Sequence, residues 1–148
     1  MKRGFAYPVQ LTADDVDGGY IVFFPDFPEI ITQGNTKAEA FRQAGDALEE
    51  ALAGRMKRGE EIPYPSSRSQ EHLMAIPSPL IAAKVALYVS LMESDLSKVA
   101  LADKLGCDEK EVRRLLDPLH PSKLPRLSAA LNVLGKRLTV NLEDAKLR

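Results

Sequence analysis

The sequence predicts two modules in one chain: a small α+β unit, then an all-α helix-turn-helix unit that ends in a short strand. Three observations predict it. The first half alternates apolar runs with glycine-containing turns and holds one long amphipathic helix. The second half is a succession of short helical patterns with their own start and stop signals. Charge divides along the same line: residues 1–76 carry 8 Lys+Arg against 12 Asp+Glu, a net −4, whereas residues 77–148 carry 12 against 9, a net +3. The predicted modules are residues 1–76 and 80–148, with the proline-flanked residues 77–79 as the junction.

Phe5, Tyr7, Val9 and Leu11 alternate with small or polar residues, the period of a half-buried strand. Pro8 lacks an N–H, so this strand is expected at a sheet edge or with a bulge. TADDVDGG supplies a turn, Tyr20 to Phe24 a second strand, and Ile30 to Gln33 a third, closed by Gly34-Asn35. Thr36 and Glu39 have capping-box spacing. Behind them Phe41, Ala44, Leu48, Leu52 and Met56 give a helix one apolar face, which Gly59 terminates. A polar, proline-containing loop leads to HLMAI, a fourth strand that includes His72. The expected unit is β-β-β-α-β, an antiparallel sheet covered on one face by one helix.

LIAAKVALYVSLM, residues 80–92, is nearly continuously apolar and predicts a buried helix. Ser97 caps a second helix containing Val99, Leu101, Ala102 and Leu105. Gly106-Cys107 breaks it, and Asp108 with Glu111 starts a third, whose inward residues are Val112, Leu115 and Leu116. A fourth helix runs from about Lys123 to Leu134, with Leu124, Leu127, Leu131 and Leu134 on one face; Pro125 is tolerated in its first turn. Leu138, Val140 and Leu142 then alternate as a final strand, too short to be stable alone. Pairing with its equivalent in a second copy would build a two-fold dimer, so these three residues are the expected dimerisation contacts.

SKVALADKLGCDEKEVRRLL has the spacing of a helix-turn-helix: two short helices, small Ala102 at their crossing and Gly106 in the turn. Glu109, Lys110, Arg113 and Arg114 point away from the apolar side of the second helix, where the major groove would lie. Ser97, Lys98, Lys123 and Arg126 complete the expected DNA-binding set. Residues 104–137 contain eight basic and four acidic side chains, a local +4 that favours phosphate. The alternative, a plain helical bundle with a solvated Arg-Arg face, does not account for caps, turn and apolar pattern together.

Composition excludes several function classes. At 148 residues, 45% hydrophobic and 28% charged, the chain is globular, with no apolar run of the roughly 20 residues that a bilayer crossing needs. The N-terminus turns acidic too early for a secretory signal, so the expected compartment is the cytoplasm. One cysteine, Cys107, can form no internal disulfide and has no neighbouring ligands for zinc. Metal-dependent phosphodiester cleavage needs converging carboxylates. Asp14, Asp15 and Asp17 share one turn, Asp26 and Glu29 follow a strand, and Glu39, Asp46, Glu49 and Glu50 fit a solvated helix face. His72 and His120 fall in different modules without a partnered acid or nucleophile. No catalytic residue, metal or cofactor is expected, and the chain reads as a non-enzyme.

YPVQL, DGGYIVFFPDFPEIITQGNTKAEA and ALEEALAGRMKRGEEIP, followed by the helical segment through LGKRLTVNLEDA, together resemble the HicB antitoxins of type II toxin–antitoxin systems, in the subgroup carrying a helix-turn-helix. The resemblance spans nearly the whole chain. It implies a partly degenerate RNase H-like first module without catalytic carboxylates, which binds a HicA-type mRNA-cleaving toxin. It also implies a second module that binds operator DNA and represses the toxin–antitoxin operon. Within that picture the expected toxin contacts are Tyr20, Phe24, Asp26, Phe27 and Glu29, aromatic anchors and acids around one strand end. The expected assembly is a homodimer, or a tetramer of paired dimers. The alternative function is an orphan transcriptional regulator whose first module senses another protein or a ligand.

Overall fold

The computed structural model describes residues 2–66 and 73–145 of the chain. His72, expected in the fourth strand, lies outside them. Among the described residues the contacts separate two compact units, one built from residues 2–52, 63–66, 73–77 and 143–145, the other from residues 53–62 and 78–142. The division therefore passes through the long helix rather than only through the proline-flanked junction.

In the first unit β1 (Tyr7–Ala13), β2 (Tyr20–Phe23), β3 (Ile31–Gly34), α1 (Lys37–Arg58) and β4 (Leu73–Ala75) follow in the expected β-β-β-α-β order. The strands make one antiparallel sheet in the order β3-β2-β1-β4. The β1–β2 turn is held by Asp14, whose Oδ1 accepts from the backbone N–H of Val16 at 3.0 Å and of Asp17 at 3.2 Å. Pro8 is not on an edge strand: β1 is internal. Its N-terminal part, Tyr7 to Val9, pairs with β4, and its C-terminal part, Gln10 to Ala13, pairs with β2. Pro8 falls where β1 has one neighbour only, so the missing donor costs no ladder bond to β2.

Alternation decides what each strand buries. Tyr7, Val9, Val22 and Ala75 point to one face of the sheet and are buried. Ala40, Ala44, Leu48, Leu52 and Met56, one stripe at four-residue spacing, are the buried positions of α1. The sheet face and the stripe from Ala40 to Leu52 supply the buried residues of the first unit, while Met56 belongs to the second. The helix starts as its spacing predicts: Thr36 Oγ1 accepts from Glu39 N–H at 3.1 Å, and Glu39 Oε2 accepts from Asn35 N–H at 3.3 Å. A side chain on Gly34 would collide with the backbone of Glu39 and Ala40, so only glycine lets β3 and the first turn of α1 lie this close.

Two residues expected on a binding surface are instead core. Phe27 is 0% exposed and Phe24 3% exposed. Phe27 meets Tyr7 edge-on with ring centres 4.8 Å apart, and Phe24 at 6.4 Å. Successive turns, Phe27 N–H to Phe24 O at 3.1 Å and Ile30 N–H to Phe27 O at 3.0 Å, fold the Pro-Asp-Phe-Pro segment back so that its aromatic ring closes the core.

The second unit contains α2 (Pro79–Glu93), α3 (Lys98–Leu105), α4 (Glu109–Leu116) and α5 (Leu124–Val133). Ala83, Leu87, Leu91, Leu101, Ala102, Val112, Leu115, Leu127, Ala130 and Leu131 make its buried cluster. Leu124, expected on the inner face of α5, is largely exposed at the start of that helix. The apolar run of α2 hides one charge: Lys84 is 0% exposed. Its ammonium donates to Arg114 O at 2.9 Å, Leu115 O at 3.1 Å and Ser122 Oγ at 2.7 Å. Three donors meet three acceptors, two of them carbonyls in the last turn of α4, where Arg114 O also accepts from the Asp117 N–H at 3.2 Å. Burial pushes Lys84 below the usual lysine value of 10.5, while the charges of Asp117 and Glu111 pull it back.

The expected C-terminal strand is absent: residues 134–145 form no strand, with Val140 83% and Leu142 99% exposed. A single strand has nothing in one copy to pair with.

Two measurements check these packing roles by denaturant unfolding. Phe27→Ala is expected to cost about 3–5 kcal/mol, the range for emptying a core aromatic site; a surface contact would cost far less. Lys84→Met takes one donor from each of Arg114 O, Leu115 O and Ser122 Oγ and is expected to cost about 1–3 kcal/mol at neutral pH. Since the folded chain holds this proton less tightly than the unfolded chain, wild-type stability gains as pH rises toward 10.5. The gap to Lys84→Met should therefore widen over that window.

Candidate binding surfaces

The first candidate surface lies around β2. Tyr20 opens the strand half-buried, with Lys37 Nζ 5.7 Å from its ring centre. Asp26 and Glu29 lie beyond the other end, so the strand separates Tyr20 from the two acids. Asp26 is half-buried and has a structural partner: its Oδ2 accepts from Ser66 N–H at 2.9 Å and from Ser66 Oγ at 3.2 Å. Glu29 is exposed. With Phe24 and Phe27 in the core, the five residues do not form one surface cluster. The aromatic that does face outward is Phe23, 44% exposed, and its register partner on β3, Ile31, is 74% exposed. YIVFF holds five apolar residues in a row, which conceals the alternation; strict period-two counting from buried Val22 is the signal that places Phe23 outside.

The second candidate surface is built on α3 and α4, two short helices joined by Gly106-Cys107-Asp108. Gly106 has φ +69°, and Cys107 N–H returns to Ala102 O at 3.0 Å, closing α3 with a left-handed residue. Ser97 Oγ caps α3 by accepting from Ala100 N–H at 3.0 Å, and Asp108 Oδ1 caps α4 by accepting from Glu111 N–H at 2.9 Å. Val112 and Leu115 anchor α4 inward, which leaves Lys110, Arg113 and Arg114 exposed on it and Glu109 half-exposed. Lys98 is exposed at the start of α3 and Lys123 at the start of α5.

Acids hold these cations in order. Glu109 pairs with Arg113 at 2.9 Å, one helical turn apart. Glu111 stands between Arg114 at 3.6 Å and Arg126 at 3.9 Å, which brings the start of α5 beside α4. All three pairs are substantially solvated and add little stability; their effect is to set where the guanidinium groups rest. Ser97 and Lys98 stand apart from this group, at the start of α3. Lys84, which the sequence reading passed over, supports the arrangement from below through the last carbonyls of α4.

The residues with reactive side chains have local partners. Cys107 is a half-buried free thiol packed beside the second unit's core. His120 Nδ1 lies 3.1 Å from Ser122 Oγ. Among the described residues no group of three or more His, Cys, Asp and Glu side chains could hold a metal ion, and no helix is long and apolar enough to cross a membrane.

The chain is similar to known proteins along both units. The family described as "HicB_like antitoxin of bacterial toxin-antitoxin system" matches residues 6–86. Antitoxin HicB of Escherichia coli K12 is 38% identical over 135 residues, covering 90% of this chain and 96% of the relative. Antitoxin HicB 2 of Photorhabdus laumondii is 37% identical over 138 residues, covering 93% and 96%. Antitoxin HicB 1 of the same organism is 34% identical over 142 residues, covering 95% and 89%. An antiparallel sheet with one long helix, four short helices after it, and relatives matched across both units make this chain a member of the HicB-like antitoxin family.

Proposed function

We propose that this chain is a non-enzymatic antitoxin that neutralises a HicA-type, mRNA-cleaving toxin through its first unit and represses its own operon through its second. The observation that carries the reading is the extent of the similarity to HicB antitoxins, which takes in 90% or more of the chain in the three relatives compared. The charge division supports it. An acidic first half attracts a cationic partner, and a basic second half attracts nucleic acid; such complementarity chiefly speeds encounter and selects the partner.

On DNA, α3, its glycine turn and α4 act as a helix-turn-helix, with α4 in the major groove. Arg113 and Arg114 then read base edges, and Lys110, Lys123 and Arg126 hold phosphates. Glu109 and Glu111 keep the guanidinium groups parked in the free protein and share them with DNA on binding. The apolar tail, with Leu138 half-buried against the second unit's core and Val140 and Leu142 exposed, pairs with its equivalent in a second copy and so sets two α4 helices on a palindromic operator. On the acidic side the same fold, one carboxylate bound to Ser66 and another holding a turn, works as a binding scaffold rather than a reaction centre.

Expression of the chain should restore growth to cells producing a HicA-type toxin; unrelieved arrest would refute the toxin assignment. For the operator, Arg113→Ala should cost about 1–3 kcal/mol of binding and relax sequence preference, measured by gel shift across substituted duplexes. Lys110→Ala should weaken all duplexes alike and reduce the salt slope by about 1.

A further inference from the structure

We propose that the toxin seats on the face of the sheet opposite α1, centred on Phe23 and Ile31, and that it presents there an apolar contact rimmed by Lys or Arg. This deepens the antitoxin reading and rests on it. The antiparallel register sets the face. Gln10, Phe23 and Ile31 lie side by side across β1, β2 and β3, and Thr12, Ile21 and Gln33 form the next row. Directly paired residues point to the same side, so both rows face away from the buried Val22 face. None of these six side chains is charged. Phe23 is 44% exposed and Ile31, on the edge strand, 74% exposed. A large aromatic and a β-branched residue exposed as neighbours form the kind of centre that a partner desolvates.

Charge selects the occupant. The strand ends bounding this face carry acids: Asp14, Asp15 and Asp17 in the β1–β2 turn, Asp26 and Glu29 in the β2–β3 loop. Residues 1–52 hold nine Asp+Glu against four Lys+Arg. Nucleic acid is repelled by that rim, and a second copy would set acidic rim against acidic rim. A cationic protein surface meets neither objection.

The test uses the full chain and a purified HicA-type toxin. Phe23→Ala and Ile31→Ala should each weaken binding at least tenfold by calorimetry while the thermal midpoint stays near wild type. Asp15→Asn with Asp17→Asn should slow association several-fold at low salt and much less at high salt. Hydroxyl-radical footprinting of the unaltered complex, which needs no variant, should show Phe23 oxidised more slowly when bound than free. If the unaltered chain binds and both alanine variants bind as tightly, or Phe23 oxidises equally in both states, the seat is wrong and the antitoxin reading stands. If the unaltered chain does not bind at all, both fall.

Discussion

One helix can cover one face of a four-stranded sheet, and the architecture of the first unit follows from that constraint. Among its described residues, α1 is the one helix available, and its buried stripe from Ala40 to Leu52 is committed to the face holding Tyr7, Val9 and Val22. Burial of that apolar area is the dominant favourable contribution to the fold. Phe24 and Phe27 join the same core from the loop after β2, and the Tyr7 hydroxyl reaches Pro63 O at 2.7 Å to bind the returning chain. The opposite face carries Gln10, Thr12 and Gln33, the half-buried Ile21 and the exposed pair Phe23 and Ile31. A β-unit of this size cannot hide both faces by itself, and a binding protein has use for the second.

The second unit solves a different problem. Four helices of at most 15 residues have many orphan polar ends, and a core made only of aliphatic side chains could not satisfy those that are buried. Lys84 meets that need where α4 ends, joining α2, α4 and the loop that leads into α5. The desolvation that lowers its proton affinity is the cost of fixing α4 at a point where hydrophobic contact alone would leave rotation and sliding available. Exposed arginines on α4 therefore project from a helix whose inner side and C-terminal end are both held.

Much of this was legible in the residues. The capping pairs Thr36–Glu39 and Asp108–Glu111 announce helix starts because a short polar side chain there has one useful partner, and both bonds form. Gly106 and Gly59 mark helix ends because the left-handed conformation suits glycine. Binding residues were harder to read. In YIVFFPDF every position after Tyr20 up to Pro25 is apolar, so side-chain type carries no information about facing; only the register does, and it exchanges the roles of Phe23 and Phe24. Lys84 was invisible because a lysine inside an apolar run resembles a surface intrusion until its acceptors, 30 or more residues away, are in place. Pro8 misled because an internal strand can still have only one neighbour along part of its length.

The opposite net charges of the two halves of the chain suit the two partners proposed, a cationic protein and a nucleic acid. The central claim is that holding, without chemistry, is sufficient to silence a ribonuclease. Titrating the purified chain into an RNA-cleavage assay of a HicA-type toxin tests this most directly. The account predicts that cleavage falls to background near a stoichiometric ratio, with no RNA processing by the chain alone. Undiminished cleavage in the presence of excess chain would contradict it.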